Sequence, residues 1–147
     1  MADFLEGKAV RKIALGLKVD NAIAAVDNGA NDIFEVVGGR VMMVDFIGEV
    51  TTGIQADATV SRLRIGTVNL SDTLDITGDT VGTLYGITGT VGDNMYDTAG
   101  YRIAQAGALI LDEGTVNFHN ASAARTGAIA FSLIYIPIDD GAYVAAV

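Results

Sequence analysis

The sequence predicts an all-β single domain, of β-sandwich or jelly-roll type, that begins with an N-terminal arm or short helix. Short runs of Val, Ile, Thr, Tyr and Phe recur between Gly, Asn and Asp along most of the 147 residues, a pattern typical of strands joined by turns. Glycine occurs 18 times and proline once, which favours tight turns. Half of the residues are apolar, so one domain of this length can bury a core without disulfides or a metal.

We divide the chain into an arm, residues 1–30, and a β-sandwich body, residues 31–147. Four apolar residues in the arm recur at i, i+3, i+4 and i+7, which predicts a short amphipathic helix with the basic residues away from the stripe. The same stretch also alternates in the way an extended strand does, and Gly7 and Gly16 disfavour a helix, so both forms stay open. The stripe consists of Val10, Ile13, Ala14 and Leu17.

Two long strands are predicted, at residues 40–52 and 128–138. In the first, alternation assigns Met42, Val44, Phe46 and Val50 to one face and Val41, Met43, Asp45, Ile47 and Glu49 to the other. In the second, it assigns Ile129, Phe131, Leu133 and Tyr135 to one face and Ala128, Ala130, Ser132, Ile134 and Ile136 to the other. Neither face of the second strand is polar, and the mean hydropathy of +0.40 is high, so we expect a homo-oligomer.

Shorter strands are predicted at residues 59–65, 83–88, 108–111, 114–118 and 142–147. In the fourth of these, Val116 and Phe118 are expected to point inward, and Thr115, Asn117 and His119 outward. Pro137 has no amide proton and is therefore expected at a strand end or edge.

Charge is distributed unevenly between the arm and the rest of the chain. The net charge is −9, which argues against a nucleic-acid-binding protein, because binding to phosphates needs Lys and Arg on the contact face. Residues 1–18 nevertheless carry a net charge of +2, and residues 19–147 carry −11. The sequence therefore predicts a basic arm that leads an acidic body.

Residue types that carry enzymatic chemistry are scarce. The chain has no cysteine and one histidine, His119, which excludes a cysteine nucleophile and a multi-histidine metal site; His119 is interpreted as a solvated surface residue. No serine stands in a Gly-x-Ser-x-Gly motif, and the glycine-rich residues 82–92 lack the Gly-Lys-Ser/Thr of a phosphate-binding loop. We therefore predict no enzymatic activity, no small-molecule substrate and no cofactor.

Carboxylates that are close in sequence are potential metal ligands. Acidic residues are close in sequence at Asp112-Glu113 and Asp139-Asp140, and Asp93 and Asp97 could supply oxygen ligands for calcium, although the Gly and terminal Glu of an EF-hand loop are missing.

Charges near the N-terminus argue against a secretory signal, and the most apolar run, residues 128–138, is far shorter than a membrane-spanning helix needs, so we expect no membrane partner.

Three segments carry a resemblance to a known family. They are GGRVMMVDFIGEVTTGIQADAT at residues 38–59, LDITGDTVGTLYGITGT at residues 74–90 and LIYIPIDDGAYV at residues 133–144. Together they resemble small structural proteins encoded in the head modules of tailed bacteriophages, the capsid decoration or cement proteins.

The resemblance implies a virion structural protein on the outer surface of the capsid. Such proteins assemble as homotrimers, bind the major capsid protein, often through an N-terminal arm, and bridge capsomers to stabilise the shell. Charge and patterning then indicate a capsid-binding arm formed by Lys8, Val10, Arg11, Lys12, Ile13, Leu17 and Lys18. The alternative is a phage tail or fibre component with an adhesive or receptor-binding role.

Overall fold

The protein is a sandwich of two antiparallel sheets, with one helix at the N-terminal side, so the predicted all-β class is confirmed. The computed structural model describes residues 6–147. Helix α1 spans Gly7–Leu15. The strands are β1 Leu17–Val26, β2 Gly29–Val37, β3 Val41–Thr52, β4 Val60–Ile65, β5 Val68–Asn69, β6 Leu74–Asp75, β7 Thr83–Gly86, β8 Tyr96–Ala99, β9 Leu109–Leu111, β10 Gly114–Asn120, β11 Arg125–Pro137 and β12 Tyr143–Ala146.

The first sheet has the order β1-β11-β3-β7-β8, and β9 also pairs with β3. The second sheet has the order β12-β2-β10-β4-β5, and β6 also pairs with β4. Strands β1 to β4 alternate between the two sheets along the chain, so each connection crosses from one layer to the other. This alternation encloses one core between the layers.

Four aromatic side chains join the two layers at the centre of the core. Phe131 on β11 stacks on Phe46 of the neighbouring strand β3, with ring centroids 5.7 Å apart. It also contacts Phe118, on β10 of the opposite sheet, at 5.3 Å. Phe118 in turn stacks on Tyr85 of β7 at 6.2 Å. Aromatic pairs at these distances stabilise a core by more than the burial of their surface alone contributes.

The predicted faces of β11 are confirmed, and Pro137 ends the strand as expected. The predicted faces of β3 are wrong in its first half, because Val41 and Met43 are buried together with Phe46 and Val50. The pairing explains the difference, since Ile134 faces Asp45 whereas Tyr135 faces Met43, which leaves Val44 as the extra residue of a β-bulge. A bulge of one residue reverses the inward and outward positions of a strand.

The predicted short strands form close to where they were expected, but the side chain of Asn117 on β10 is not exposed. Val116 and Phe118 are buried as expected, but Asn117 is buried too, and its Nδ2 donates a hydrogen bond to the carbonyl of Gly66 at 3.1 Å. The register of β10 against β2 shifts between Val116 and Asn117. The turn between β4 and β5 therefore covers a side chain that alternation alone assigns to solvent.

The structure moves the start of the sandwich from residue 31 to Leu17. Strand β1 pairs with β11 from Leu17 opposite Tyr135 to Val26 opposite Arg125, so it is an integral strand of the first sheet. The predicted arm therefore ends at Gly16, and its first five residues lie outside the described part of the chain. The periodicity in this region was ambiguous because it contains a helix followed directly by a strand.

Candidate partner-binding site

Helix α1 is held against the first sheet by its C-terminal end. The helix stops at Gly16, which has φ +91° and whose amide donates to the carbonyl of Lys12 at 3.1 Å. A β-carbon on Gly16 would lie 2.7 Å from the carbonyl oxygen of Tyr135 on β11. Glycine at this position therefore allows both the left-handed backbone and the close approach of the helix end to the sheet.

A groove of about 360 Å³ runs between helix α1 and strands β1 and β11. The helix contributes residues spaced at i, i+3, i+4 and i+7, which share one face of a helix. We call this the basic groove, because four cationic side chains surround an apolar floor. Its cations are Lys8, Arg11, Lys12 and Lys18, and its floor is formed by Leu15, Gly16 and Ile134.

The cations of the basic groove differ in their partners within the chain. Lys18 forms an ion pair with Asp20 at 3.0 Å. The pKa of Asp20 is lowered by the hydroxyl of Ser132 and by Lys18. Among residues 6–147, no carboxylate lies within ion-pair distance of the three helix cations. The helix side of the groove therefore presents positive charge available to an acidic partner.

The apolar residues of the predicted arm are separated by the structure. Val10 and Ile13 belong to helix α1 and are 47% and 72% exposed. Leu17 is instead the first residue of β1 and packs against the core, so it is not part of the exposed site. Of the predicted arm residues, the structure thus groups the four cations around one groove and places Val10 and Ile13 on the solvent side of the helix.

The paired carboxylates identified in the sequence lie in separate places. Asp139 accepts hydrogen bonds from Nε and Nη2 of Arg40, both at 2.9 Å, in the turn that leads to β12. Asp112 and Glu113 form the exposed turn between β9 and β10. No three carboxylate or imidazole groups within residues 6–147 converge on a point where they could hold a metal ion.

The ion pair between Arg40 and Asp139 predicts a pH dependence of stability. Hydrogen bonds from Arg40 lower the pKa of Asp139 from 3.8 to about 2. The folded pKa lies below the unfolded value, so the stabilisation is present above about pH 4 and is lost as the pH falls towards 2. Asp139→Asn should therefore lower the melting temperature at pH 7. Between pH 4 and pH 2, the melting temperature of this variant should decrease less than that of the unchanged protein.

The control for this prediction is the adjacent Asp140, whose side chain forms no hydrogen bond or ion pair in the described part of the chain. Thermal melts of Asp140→Asn should follow those of the unchanged protein from pH 7 to pH 2. Equal effects of the two substitutions would contradict the assignment of the pH dependence to Asp139.

Two pairs of polar side chains, both largely shielded from solvent, are not explained by the sequence analysis. Tyr85 donates a hydrogen bond to Asp79 at 2.6 Å, and burial raises the pKa of that carboxyl. Arg102 forms an ion pair with Asp45, which lies beside the bulge of β3. A carboxylate inside an apolar strand needs a partner, so Asp45 was a usable signal, but its partner is 57 residues away.

His119 is partly buried rather than solvated, contrary to the prediction. It lies opposite Arg62 in the pairing of β10 with β4. Burial lowers the pKa of its imidazole, and the charges of Arg64 and Arg62 lower it further. The imidazole is therefore neutral at pH 7.

No family model, curated protein or solved structure matches this chain. Helix α1 has nine residues, and no helix in residues 6–147 is long and apolar enough to cross a membrane.

Proposed function

We propose that this protein is a virion structural protein that decorates the outside of a bacteriophage capsid. The resemblance of residues 38–59, 74–90 and 133–144 supports the family, and the observation that carries the attachment is the basic groove beside helix α1. Its partner is the major capsid protein. Its action is to bridge capsomers, so no covalent step is involved.

The basic groove supports attachment to an acidic segment of the shell. Lys8, Arg11 and Lys12 lie on one helix face, and Leu15 and Ile134 offer apolar contact beneath them. A partner segment with a carboxylate and a large apolar side chain fits this combination. Leu17 is removed from the proposed contact, because it packs in the core.

Decoration stabilises a shell through the number of copies bound. A ligand that binds only the assembled shell shifts the equilibrium towards assembly by mass action. Weak contacts repeated on a symmetric surface add up through avidity. An individual groove of modest affinity is therefore sufficient for the proposed role.

The first test is the copy number of this chain relative to the major capsid protein, measured by quantitative mass spectrometry of purified virions. A ratio near one supports decoration of the whole shell. A few copies per hundred capsid subunits would instead favour the tail or fibre role. Absence from the virion would overturn both roles.

The second test measures binding to capsids from which this protein has been stripped. Lys8→Gln with Arg11→Gln should reduce the apparent affinity roughly tenfold, since two uncompensated charges are removed from the contact and the effect is repeated over many sites. The control is Arg62→Gln with Arg64→Gln, which removes the same formal charge from the outer face of the second sheet, where Arg62 lies 3.9 Å from Asp72. Equal losses in both variants would contradict attachment through the basic groove.

A further inference from the structure

The apolar face of helix α1 is uncovered in the single chain. Val10 and Ile13 lie on the side opposite to the cations of the basic groove, because residues of a helix are rotated by about 100° from one to the next. Ala9 and Ala14 flank them and leave room for close approach. An apolar stripe this exposed indicates a contact surface.

A second groove has chemistry complementary to that of helix α1. It has a volume of about 410 Å³ and lies between the β4–β5 hairpin and the β9–β10 turn. Its apolar residues include Val68 and Ile110, which are 63% and 65% exposed. Asp112 and Glu113 form its rim, and neither carboxylate is in an ion pair within residues 6–147. We call this the acidic groove.

No residue of helix α1 lines the acidic groove of its own chain. The C-terminal end of the helix lies against Tyr135 on β11. Tyr135 pairs with Met43 on β3, and Met43 pairs with Leu109 on β9, which is next to Ile110. Two strand spacings of about 4.8 Å, one from β11 to β3 and one from β3 to β9, separate these positions. The helix leans instead over Ile134, in the basic groove.

We propose that helix α1 of one copy docks by Val10 and Ile13 into the acidic groove of a second copy. The helix carries three cations and the acidic groove carries Asp112 and Glu113 on its rim, so the charges of the two surfaces are complementary. The acidic groove is more than twice the volume of about 150 Å³ that holds a benzene ring, so it has room for two aliphatic side chains.

The contact joins two different patches of the same chain. Two copies can exchange their helices reciprocally, or several can close a ring. The basic groove lies on the other helix face, and its Lys8 and Leu15 stay accessible in this arrangement. This self-association does not depend on the capsid role, since it is measured with the purified chain alone.

Sedimentation velocity of the purified full chain tests the proposal. The unchanged protein should be an oligomer at micromolar concentration. Ile13→Asp and Ile110→Asp should each weaken association by roughly a hundredfold and give monomers, because a large aliphatic contact is lost and a charge is placed in an apolar groove. The controls Leu15→Asp and Val81→Asp are also at exposed apolar positions and should leave the oligomer intact.

A monomeric unchanged protein would overturn the proposal. An oligomer that survives either Ile13→Asp or Ile110→Asp would also overturn it. Thermal melts of each variant establish that a monomer is folded. Loss of association in the two variants, with normal copy number in virions, would separate this contact from the capsid contact.

Cysteine cross-linking identifies the two partners directly, because the chain contains no cysteine. Ile13→Cys mixed with a tagged Ile110→Cys protein should give a disulfide-linked mixed dimer under mild oxidation, since a disulfide needs α-carbons about 4.4–6.8 Å apart. Replacing Ile110→Cys by Val81→Cys should remove the mixed dimer. Equal yields from the two mixtures would overturn the docking of helix α1 in the acidic groove.

Discussion

Replacing Phe131 by alanine should destabilise the protein by about 4 kcal/mol, the usual cost of removing a buried phenyl ring. Phe131 is buried and contacts Phe46 in its own sheet and Phe118 in the opposite sheet. The cavity cannot close easily, because both neighbours are held by strands paired on either side. For a chain of this length, the melting temperature should fall by about 10 °C.

Two controls separate this effect from loss of any aromatic residue. Phe131→Leu should cost only about 1 kcal/mol, since most of the volume is kept. Tyr101→Ala removes an exposed ring and should change stability by less than about 0.5 kcal/mol. Urea unfolding gives the three values. A loss below about 1 kcal/mol for Phe131→Ala would show that the aromatic cluster does not hold the two sheets together.

The inward face of β11 could be predicted from sequence because its bulky residues alternate without interruption. Ile129, Phe131, Leu133 and Tyr135 all point into the core as expected. The faces of β3 could not be predicted with equal success, because the bulge at Val44 depends on how the strand pairs with β11. Alternation describes one strand, whereas a bulge is a property of two.

The N-terminal region shows the same limit at the level of the site. Spacing identified both the cations and the apolar residues of helix α1, and the helical alternative was correct for Gly7–Leu15. It could not show that Leu17 leaves the helix stripe to begin β1 and pack in the core. That change of role results from pairing with β11, more than a hundred residues away.

The acidic groove was not predictable because its parts are distant in sequence. Asp112 and Glu113 were recognised as adjacent acids, but Val68 and Ile110 had no assigned role. They come together because β4 pairs with β5 while β9 pairs with β3 in the opposite sheet. Local sequence patterns identify the strands and turns, whereas the pairing of strands in the fold decides which of their residues form one groove.

The ion pair between Asp45 and Arg102, which is largely shielded from solvent, supports a second large expected effect. Their side chains are 15% and 8% exposed. Asp45 also accepts hydrogen bonds from the backbone amides of Phe46, at 3.0 Å, and Gln105, at 3.2 Å. It therefore connects β3 to the segment before β9. Asp45→Ala leaves the guanidinium of Arg102 buried without its carboxylate, and should cost about 3–5 kcal/mol.

The double variant separates the ion pair from its surroundings. Asp45→Ala with Arg102→Met should be less destabilised than the sum of the two single variants, because no unpaired charge stays buried.

Asp45→Ala should also speed tryptic cleavage after Arg102, since loss of the carboxylate frees a segment with little regular secondary structure. Cleavage after Arg125, which lies on β11, is the internal control. Additive losses in the double variant, together with unchanged cleavage after Arg102 in the single variant Asp45→Ala, would mean that Asp45 does not anchor this segment through Arg102.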